Sequence, residues 1–408
     1  MGDDIISSRF ARLIWPIAPE TFFSDAWEKQ PLVVRRRDAN VYRDLLSIDD
    51  VDEALTTLNL SYPEIRLARV DQPLDPGDYT FPDGRIDPLA VTKLFRSGVT
   101  IVFDQMQRRL PSLGELCRDL ESELGIAFQT NLYVTPPHAG GFKGHYDTHD
   151  VFVLQIVGSK QWELFESLVE LPMPGQHGDD NGTAPGKCTH RFRLHAGDLV
   201  YLPRGIYHQA RANDEVSMHV TLGAMVRTWC EFLLEAVSEL SLRDVAFRRA
   251  LPIGIGIGKF DHGGAQKEFQ SLLTRLAASS DFERTAHSLS KEFVRKHDGI
   301  LRQQLLQISS LGNLSSESVV VARKGAVRSI ERVGDKLAVC HLNTAIELPA
   351  HVEKSLSSAL SGAPLRVADI AGELDLGGKI TLARTLIEEG LLVIVASAAS
   401  IPKHEGTE

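Results

Sequence analysis

The alternation of apolar and polar residues divides the chain into regions of different character. Over residues 128–226 the pattern has a period of two, which is typical of half-buried β-strands. Residues 228–310 change to the spacing of amphipathic helices, and residues 1–60 look mixed and mostly helical. Residues 315–408 combine both patterns. The sequence therefore predicts an α+β protein with a β-rich middle.

The strands predicted in the β-rich region are short and closely spaced. They cover residues 131–135, 150–157, 160–165, 191–194, 198–202, 208–211 and 217–224. Gly158 and Ser159 stand between two of these strands and are predicted to form a two-residue hairpin turn. Many short antiparallel strands predict a double-stranded β-helix, that is, a jelly-roll or cupin barrel.

The length of 408 residues favours two or three domains. We place a barrel domain with N-terminal helices at residues 1–226, a helical segment at 227–312 and a third unit at 313–408. In the third unit, helices at 351–360, 367–374 and 379–388 are followed by a strand at 391–395. That order resembles a winged helix, but acidic residues surround the predicted recognition helix, which favours a packing or protein-contact role.

Composition narrows the classes of function and location. A hydrophobic fraction of 43% and a charged fraction of 24% indicate a soluble globular protein, and no apolar run approaches the ~18 residues of a membrane span. The net charge of −10 argues against nucleic-acid binding and is compatible with a basic polypeptide partner. The four cysteines form no CxxC pair and the N-terminus lacks secretory signal features, so we expect a cytoplasmic protein.

The chemistry of the chain centres on His145 and Asp147. In an extended strand this spacing points both side chains to one face. With a third nitrogen ligand they would form a 2-His-1-carboxylate triad, which holds one face of Fe(II). His208 follows a strand-turn-strand pattern that would deliver such a ligand into a barrel. A core histidine beside a turn aspartate would give the same two-residue motif, so both interpretations stay open.

Lys160 is the candidate cation for an anionic co-substrate. It lies fifteen residues after His145, and an oxygenase that uses 2-oxoglutarate needs a cation for the distal carboxylate. An exposed lysine in a hairpin turn is the alternative. For both residues to serve one site, the chain must bend, and we place that bend at residues 148–150.

Four stretches of sequence carry a resemblance to a known family. They are FFSDAWEKQPLVV (22–34), NLYVTP (131–136), GHYDTHDVFVLQIVGSKQWELF (144–165), and LHAGDLVYLPRGIYH (194–208) with SMHVT (217–221). The chain resembles the JmjC-domain ribosomal oxygenases, which are cupin-like, 2-oxoglutarate- and Fe(II)-dependent protein hydroxylases. The order of domains is also similar: a JmjC barrel, a helical dimerisation segment and a winged-helix-like domain.

The resemblance implies roles for individual residues. His145, Asp147 and His208 match the iron ligands, and Lys160 matches the residue that binds the 5-carboxylate of 2-oxoglutarate. Four further residues match or adjoin pocket positions for the co-substrate: Asn131, Tyr133, Ser217 and Thr221. His149 and His219 lie close to the ligands in sequence, and we expect them either to orient the ligands or to serve in packing.

The resemblance also implies a substrate and a partner. The expected reaction is hydroxylation of an arginine or histidine side chain of a basic ribosomal protein by a homodimer, with no membrane and no direct nucleic-acid contact. Two enzymatic alternatives use the same 2-oxoglutarate- and Fe(II)-dependent chemistry on a different target. They are a hydroxylase that tailors a natural-product precursor peptide, and a lysine demethylase. A non-enzymatic alternative is a dimeric, cupin-like binding scaffold with a degenerate site.

Overall fold

The computed structural model describes residues 8–70, 73–176, 186–297, 299, 301–342 and 344–395. The chain divides into two compact units, Met1–Val226 and Arg227–Glu408. The finer division of the second unit at residue 312 stays a prediction. No helix in the described ranges is long and apolar enough to cross a membrane.

The first unit places short helices before and among its strands. The α-helices are α1 (Arg9–Ile14), α2 (Pro19–Asp25), α3 (Ile48–Thr57), α4 (Pro88–Arg96) and α5 (Pro111–Leu124). The strands are β1 (Leu32–Val34), β2 (Ile65–Ala68), β3 (Thr100–Phe103), β4 (Ala127–Thr135), β5 (Asp150–Val157), β6 (Ser159–Phe165), β7 (Cys188–His195), β8 (Leu199–Leu202), β9 (His208–Ala212) and β10 (Ser217–Met225).

Two antiparallel sheets form the first unit. The larger has the order β1-β8-β5-β10-β4-β3-β2, and the smaller has the order β7-β6-β9. Alternate residues of β5 point to opposite faces of the larger sheet. Phe152 and Leu154 join the core beneath the helices, whereas Val151 and Val153 pack against side chains of the smaller sheet. The mixed α+β class and the antiparallel sheets are thus confirmed.

The predicted hairpin at Gly158 and Ser159 is wrong. Strand β5 pairs with β8 and β10, whereas β6 pairs with β7 and β9, so the chain crosses from one sheet to the other at Gly158. Gly158 has a φ of +64°, and a Cβ there would lie 2.2 Å from the carbonyl oxygen of Val216. A tight Gly-Ser connection is compatible with either geometry, and only the long-range pairing distinguishes them.

The second unit joins helices to two small sheets. Its α-helices are α6 (Trp229–Arg243), α7 (His262–Ser279), α8 (Phe282–Lys296), α9 (Gln304–Ser310), α10 (Glu353–Ala359) and α11 (Leu376–Glu388). Its strands are β11 (Val319–Ala322), β12 (Arg328–Val333), β13 (Lys336–His341), β14 (Thr344–Pro349), β15 (Leu365–Arg366) and β16 (Leu392–Ile394). The sheets have the orders β15-β11-β16 and β12-β13-β14.

The helix predicted at residues 367–374 is wrong. Only a 3-10 turn, Val367–Asp369, forms there. The backbone N–H groups of Val367 and Ala368 donate to the carbonyl oxygens of Ser318 and Ser316, so they are tied to a neighbouring segment instead of starting a helix. The winged-helix-like character of this region stays a prediction.

Candidate metal site and its surroundings

Three potential metal ligands come together where residues 144–147 meet the start of β9. One ligand atom each from His145, Asp147 and His208 lies within 4.8 Å of the others. The backbones of the two histidines pair: His208 N–H donates to His145 O at 2.8 Å, and His145 N–H donates to His208 O at 3.1 Å. The two Nε2 atoms lie 3.9 Å and 3.8 Å from the carboxylate oxygens of Asp147.

Both imidazole rings are oriented through Nδ1. His145 Nδ1 lies 3.0 Å from Lys143 O, and His208 Nδ1 lies 3.0 Å from Ile206 O. A carbonyl oxygen can only accept, so Nδ1 carries the proton and Nε2 keeps its lone pair. Burial, followed by the neighbouring His145, lowers the pKa of His208 to about 4. This ring is therefore neutral near pH 7, as a metal ligand must be.

The donor set fits ferrous iron. Two imidazole nitrogens and one carboxylate form the facial triad of non-haem Fe(II) sites, which leaves other coordination positions open. The side chains of His145 and Asp147 are 40% and 30% exposed, so small molecules can reach the site from solvent. Within the described ranges, these three residues form the group that could hold a metal ion.

Lys160 lies inside the barrel. It is 3% exposed, and its Nζ donates to Nδ1 of His219 at 3.2 Å. His219 in turn stacks on Tyr133 with the ring centroids 4.6 Å apart. Among the described residues, no carboxylate lies within ion-pair distance of Lys160, and burial lowers its pKa to about 7. A buried ammonium without an anion is costly, so this position is suited to a guest that carries a negative charge.

Trp162 connects Lys160 with the metal-ligand group. Its ring centroid lies 5.9 Å from that of His208 and 6.0 Å from that of His219. Trp162 is buried in the apolar cluster between the two sheets. Its Nε1 is also buried, and the described part of the chain offers it no acceptor. Lys160 and the three potential metal ligands therefore border the same interior of the barrel. Within the described residues, the Nε1–H group of Trp162 is a hydrogen-bond donor without an acceptor in this interior.

The pairing of β4 with β10 fixes the positions of three residues that were predicted to lie in the co-substrate pocket: Asn131, Tyr133 and Thr221. Tyr133 lies opposite His219, and Asn131 lies opposite Thr221. The Thr221 hydroxyl donates to the backbone oxygen of Asn131 at 3.3 Å, and Asn131 Oδ1 accepts from the backbone N–H of Gln105 at 3.1 Å. Asn131 and Thr221 thus adjoin the stacked pair of Tyr133 and His219.

Ser217 occupies a more enclosed position on β10. It is fully buried, and its hydroxyl accepts from Nε2 of Gln155 at 2.8 Å. Sequence reasoning missed Gln155, although a glutamine within an apolar strand is a signal that could have drawn attention to it. His149 packs against β10, because a Cβ at Gly223 would lie 2.7 Å from its ring. The co-substrate roles of Ser217 and Thr221 stay predictions.

A buried polar network ties together the two segments that carry the ligands. Tyr201 donates to Oδ1 of Asp150 at 2.6 Å, and Arg204 Nη1 donates to Oδ2 at 2.7 Å. Arg204 also pairs with Glu28 at 2.5 Å. Asp150 follows Asp147 by three residues, and Arg204 precedes His208 by four. Sequence reasoning missed this network, since its members come from distant parts of the chain.

Comparisons with known proteins agree with this geometry. Residues 103–232 match the family model described as the JmjC domain. Ribosomal oxygenase 2 of Bos taurus is 33% identical over 261 residues, which cover 61% of this chain and 55% of that protein. A bifunctional lysine-specific demethylase and histidyl-hydroxylase, NO66 of Aedes aegypti, is 30% identical over 324 residues, which cover 73% of this chain and 49% of that protein. Residues 103–232 therefore form a JmjC domain, and the chain is similar to ribosomal oxygenases over most of its length.

The comparison of folds extends the agreement beyond the barrel. The ribosomal oxygenase YcfD of Escherichia coli, solved in complex with cobalt and 2-oxoglutarate, superimposes with a TM-score of 0.54 at 16% identity. The match covers 93% of this chain and 99% of that one. This chain spans about half the length of the curated relatives it matches. The JmjC and cupin interpretation of the barrel is therefore confirmed.

Proposed function

We propose that the chain is a 2-oxoglutarate- and Fe(II)-dependent oxygenase that hydroxylates a side chain of a protein. One observation supports this proposal most directly. Among the described residues, Lys160 is buried without a carboxylate partner, and it lies in the same barrel interior as the group formed by His145, Asp147 and His208. The structure of YcfD with cobalt and 2-oxoglutarate and the names of the relatives support this proposal.

In the proposed reaction, each residue has a defined task. His145, Asp147 and His208 hold the metal through Nε2 and carboxylate oxygens. Lys160 binds the distal carboxylate of 2-oxoglutarate, while His219 holds the Lys160 side chain in the interior. Iron held by these residues would, with 2-oxoglutarate and O2, supply the oxidation of an unactivated C–H bond, with the hydroxylated side chain, succinate and CO2 as products. Apolar residues between the sheets limit the access of water.

An anaerobic titration tests the chemistry. Fe(II) and 2-oxoglutarate together should produce a visible metal-to-ligand charge-transfer band that neither produces alone. Lys160→Met should weaken 2-oxoglutarate binding by on the order of a hundredfold while leaving Fe(II) binding within about twofold, because it removes only the distal charge. A wild-type protein without the band would contradict the oxygenase proposal and favour the dimeric cupin-like scaffold.

The substrate is proposed to be an arginine or histidine side chain of a basic ribosomal protein. The net charge of −10 suits such a partner, and the relatives named ribosomal oxygenase support it. Mass spectrometry of ribosomal proteins from cells with and without the gene should reveal one peptide that gains a single oxygen. Loss of a methyl group with release of formaldehyde would favour the lysine demethylase. Activity on a precursor peptide alone would favour the natural-product role.

The binding of 2-oxoglutarate should depend on pH through Lys160. Burial lowers the pKa of this lysine to about 7, so it is charged below pH 7 and increasingly neutral above it. Because the carboxylate needs the ammonium, binding above pH 7 must take up a proton, and the affinity should fall by up to about tenfold per pH unit. Calorimetry of the metal-loaded protein in two buffers of different ionisation enthalpy measures this uptake. Lys160→Arg, which stays charged, should abolish it, and an equal uptake in that variant would contradict the assignment.

We also propose that the protein is a homodimer formed through the helices of the second unit. Large apolar side chains of α6 are exposed, including Leu234 at 64% and Leu242 at 75%. Leu234→Glu should convert a dimer into a monomer in light scattering at micromolar concentration, because a charge would enter an apolar interface. Leu89→Glu is the matched control, since Leu89 is equally exposed but lies on α4. A monomeric wild type would overturn the proposal.

A cytoplasmic location belongs to the same proposal. Cys117, Cys188, Cys230 and Cys340 are all free thiols, as a reducing compartment would keep them. The unit around β11 and β16 is proposed to act in protein contact, because acidic residues flank α11. Fluorescence microscopy of the tagged protein checks the location directly.

A further inference from the structure

A groove of about 1040 Å³ lies on the outer face of the smaller sheet. Its floor contains Gln161 of β6, Arg193 of β7, and Gln209 and Arg211 of β9. His208 points into the barrel, and strand residues alternate, so Gln209 and Arg211 point the other way. Along β9 the groove and the candidate metal site therefore lie on opposite faces, and they approach each other at Phe142, whose ring centroid lies 6.0 Å from that of His145.

One wall of the groove is fastened to β9 by backbone hydrogen bonds. Ala212 N–H donates to Ala139 O at 2.9 Å, and His138 N–H donates to Asn213 O at 2.8 Å. This wall continues to Phe142, which lines the groove and is 37% exposed. The groove is thus an ordered surface that ends at an exposed aromatic ring.

Positive charge is in excess in the groove. Its cationic lining residues are Arg69, Lys143, Arg193 and Arg211. None of them forms an ion pair with a carboxylate among the described residues: the Arg69 side chain donates to Ser97, and Arg211 donates to the backbone of His138.

One of the two acidic lining residues is engaged by neighbouring side chains. Glu163 accepts from Arg191 at 2.6 Å and from Gln209 at 2.7 Å. Asp214 lies 3.7 Å from the ring of His138. At physiological ionic strength, charges more than ~8 Å away are largely screened, so the local charge decides what binds here even though the net charge is −10.

We propose that this groove binds a segment of single-stranded RNA. Cations without acidic partners suit a phosphodiester backbone, and an exposed aromatic ring at the end of a basic groove suits stacking of a base. Protein partners are anchored mainly by buried aromatic and aliphatic side chains, whereas this lining is mostly polar, as nucleic-acid surfaces are. The choice of RNA over DNA rests on the proposed function, because a ribosomal protein is presented beside RNA.

Fluorescence anisotropy with a labelled twelve-nucleotide RNA tests the proposal on the full chain at 0.15 M salt. Arg193→Glu should weaken binding by at least about tenfold and make the salt dependence shallower by about one unit of slope. Arg193 is exposed, and its side chain has no partner among the residues that the structure describes, so this variant should keep the wild-type melting temperature. Arg43→Glu, an equal charge change at an exposed position outside the groove, should change binding by less than about twofold.

Four outcomes would overturn the proposal. The first is no RNA binding even at low salt, and the second is equal weakening by Arg193→Glu and Arg43→Glu. The third is equal binding of DNA of the same sequence, and the fourth is binding of a glutamate-rich peptide in place of RNA. The assay needs neither iron nor 2-oxoglutarate, so its failure is distinguishable from failure of the proposed oxygenase activity.

Discussion

Asp147→Ala is expected to lower 2-oxoglutarate turnover by at least about a thousandfold and to weaken Fe(II) binding. Asp147 supplies the only negative charge in the group of three potential ligands. Loss of a residue that merely orients a metal ligand typically costs about 10- to 100-fold, so loss of a ligand should cost more. Turnover is measured as succinate formed, and metal binding is measured by Co(II) absorbance.

The variant should remain folded, which keeps this test informative. The contact that fixes this part of the chain uses the backbone of Asp147, whose carbonyl oxygen accepts from Gly205 N–H at 2.9 Å. Asp52→Ala is the control, since Asp52 is exposed on α3. It should leave turnover unchanged. An Asp147→Ala protein that retained turnover would remove this residue from the proposed ligand set.

The second large effect is expected on stability. Asp150→Ala should reduce the free energy of unfolding by about 3–5 kcal/mol, because it leaves the buried Arg204 with one carboxylate partner in place of two. Urea unfolding followed by circular dichroism measures this change. Co(II) affinity should fall as well, since the network ties together the segments that carry Asp147 and His208.

A double-variant cycle separates the cost of an unpaired charge from that of lost packing. Arg204→Met removes the buried cation, so Asp150→Ala in that background should cost clearly less than it does alone. Asp150→Asn should be intermediate, because it keeps an oxygen for the Tyr201 hydroxyl. Additive effects of the two substitutions would show that the ion pair does not dominate the stability of this network.

Local alternation predicted most strands of the barrel, and local motifs together with the family resemblance gave the ligand set. The strand predicted at residues 150–157 matches β5. His145, Asp147 and His208 were proposed from the two-residue spacing and the pattern before His208, and the structure brings them within 4.8 Å of each other. Patterns of this kind are determined by neighbours in sequence, so they can be interpreted without a fold.

Residues whose roles depend on distant partners could not be assigned in this way. Nothing near Lys160 in sequence shows that it is buried beside His219, because the contact joins β6 to β10. His219 could be interpreted equally well as a packing residue until the register set it opposite Tyr133. The helix predicted at residues 367–374 failed for the same reason, since its first amides pair with Ser316 and Ser318.

The sequence by itself determined the class of the protein, the β-rich barrel and the three potential metal ligands. The tertiary structure decided the crossing between sheets at Gly158, the burial of Lys160 without an anion, and the network of Asp150 and Arg204. It also decided that a chain with a net charge of −10 presents a basic groove. Side-chain type and local period are properties of the chain, whereas burial, pairing and local charge arise only when distant segments meet.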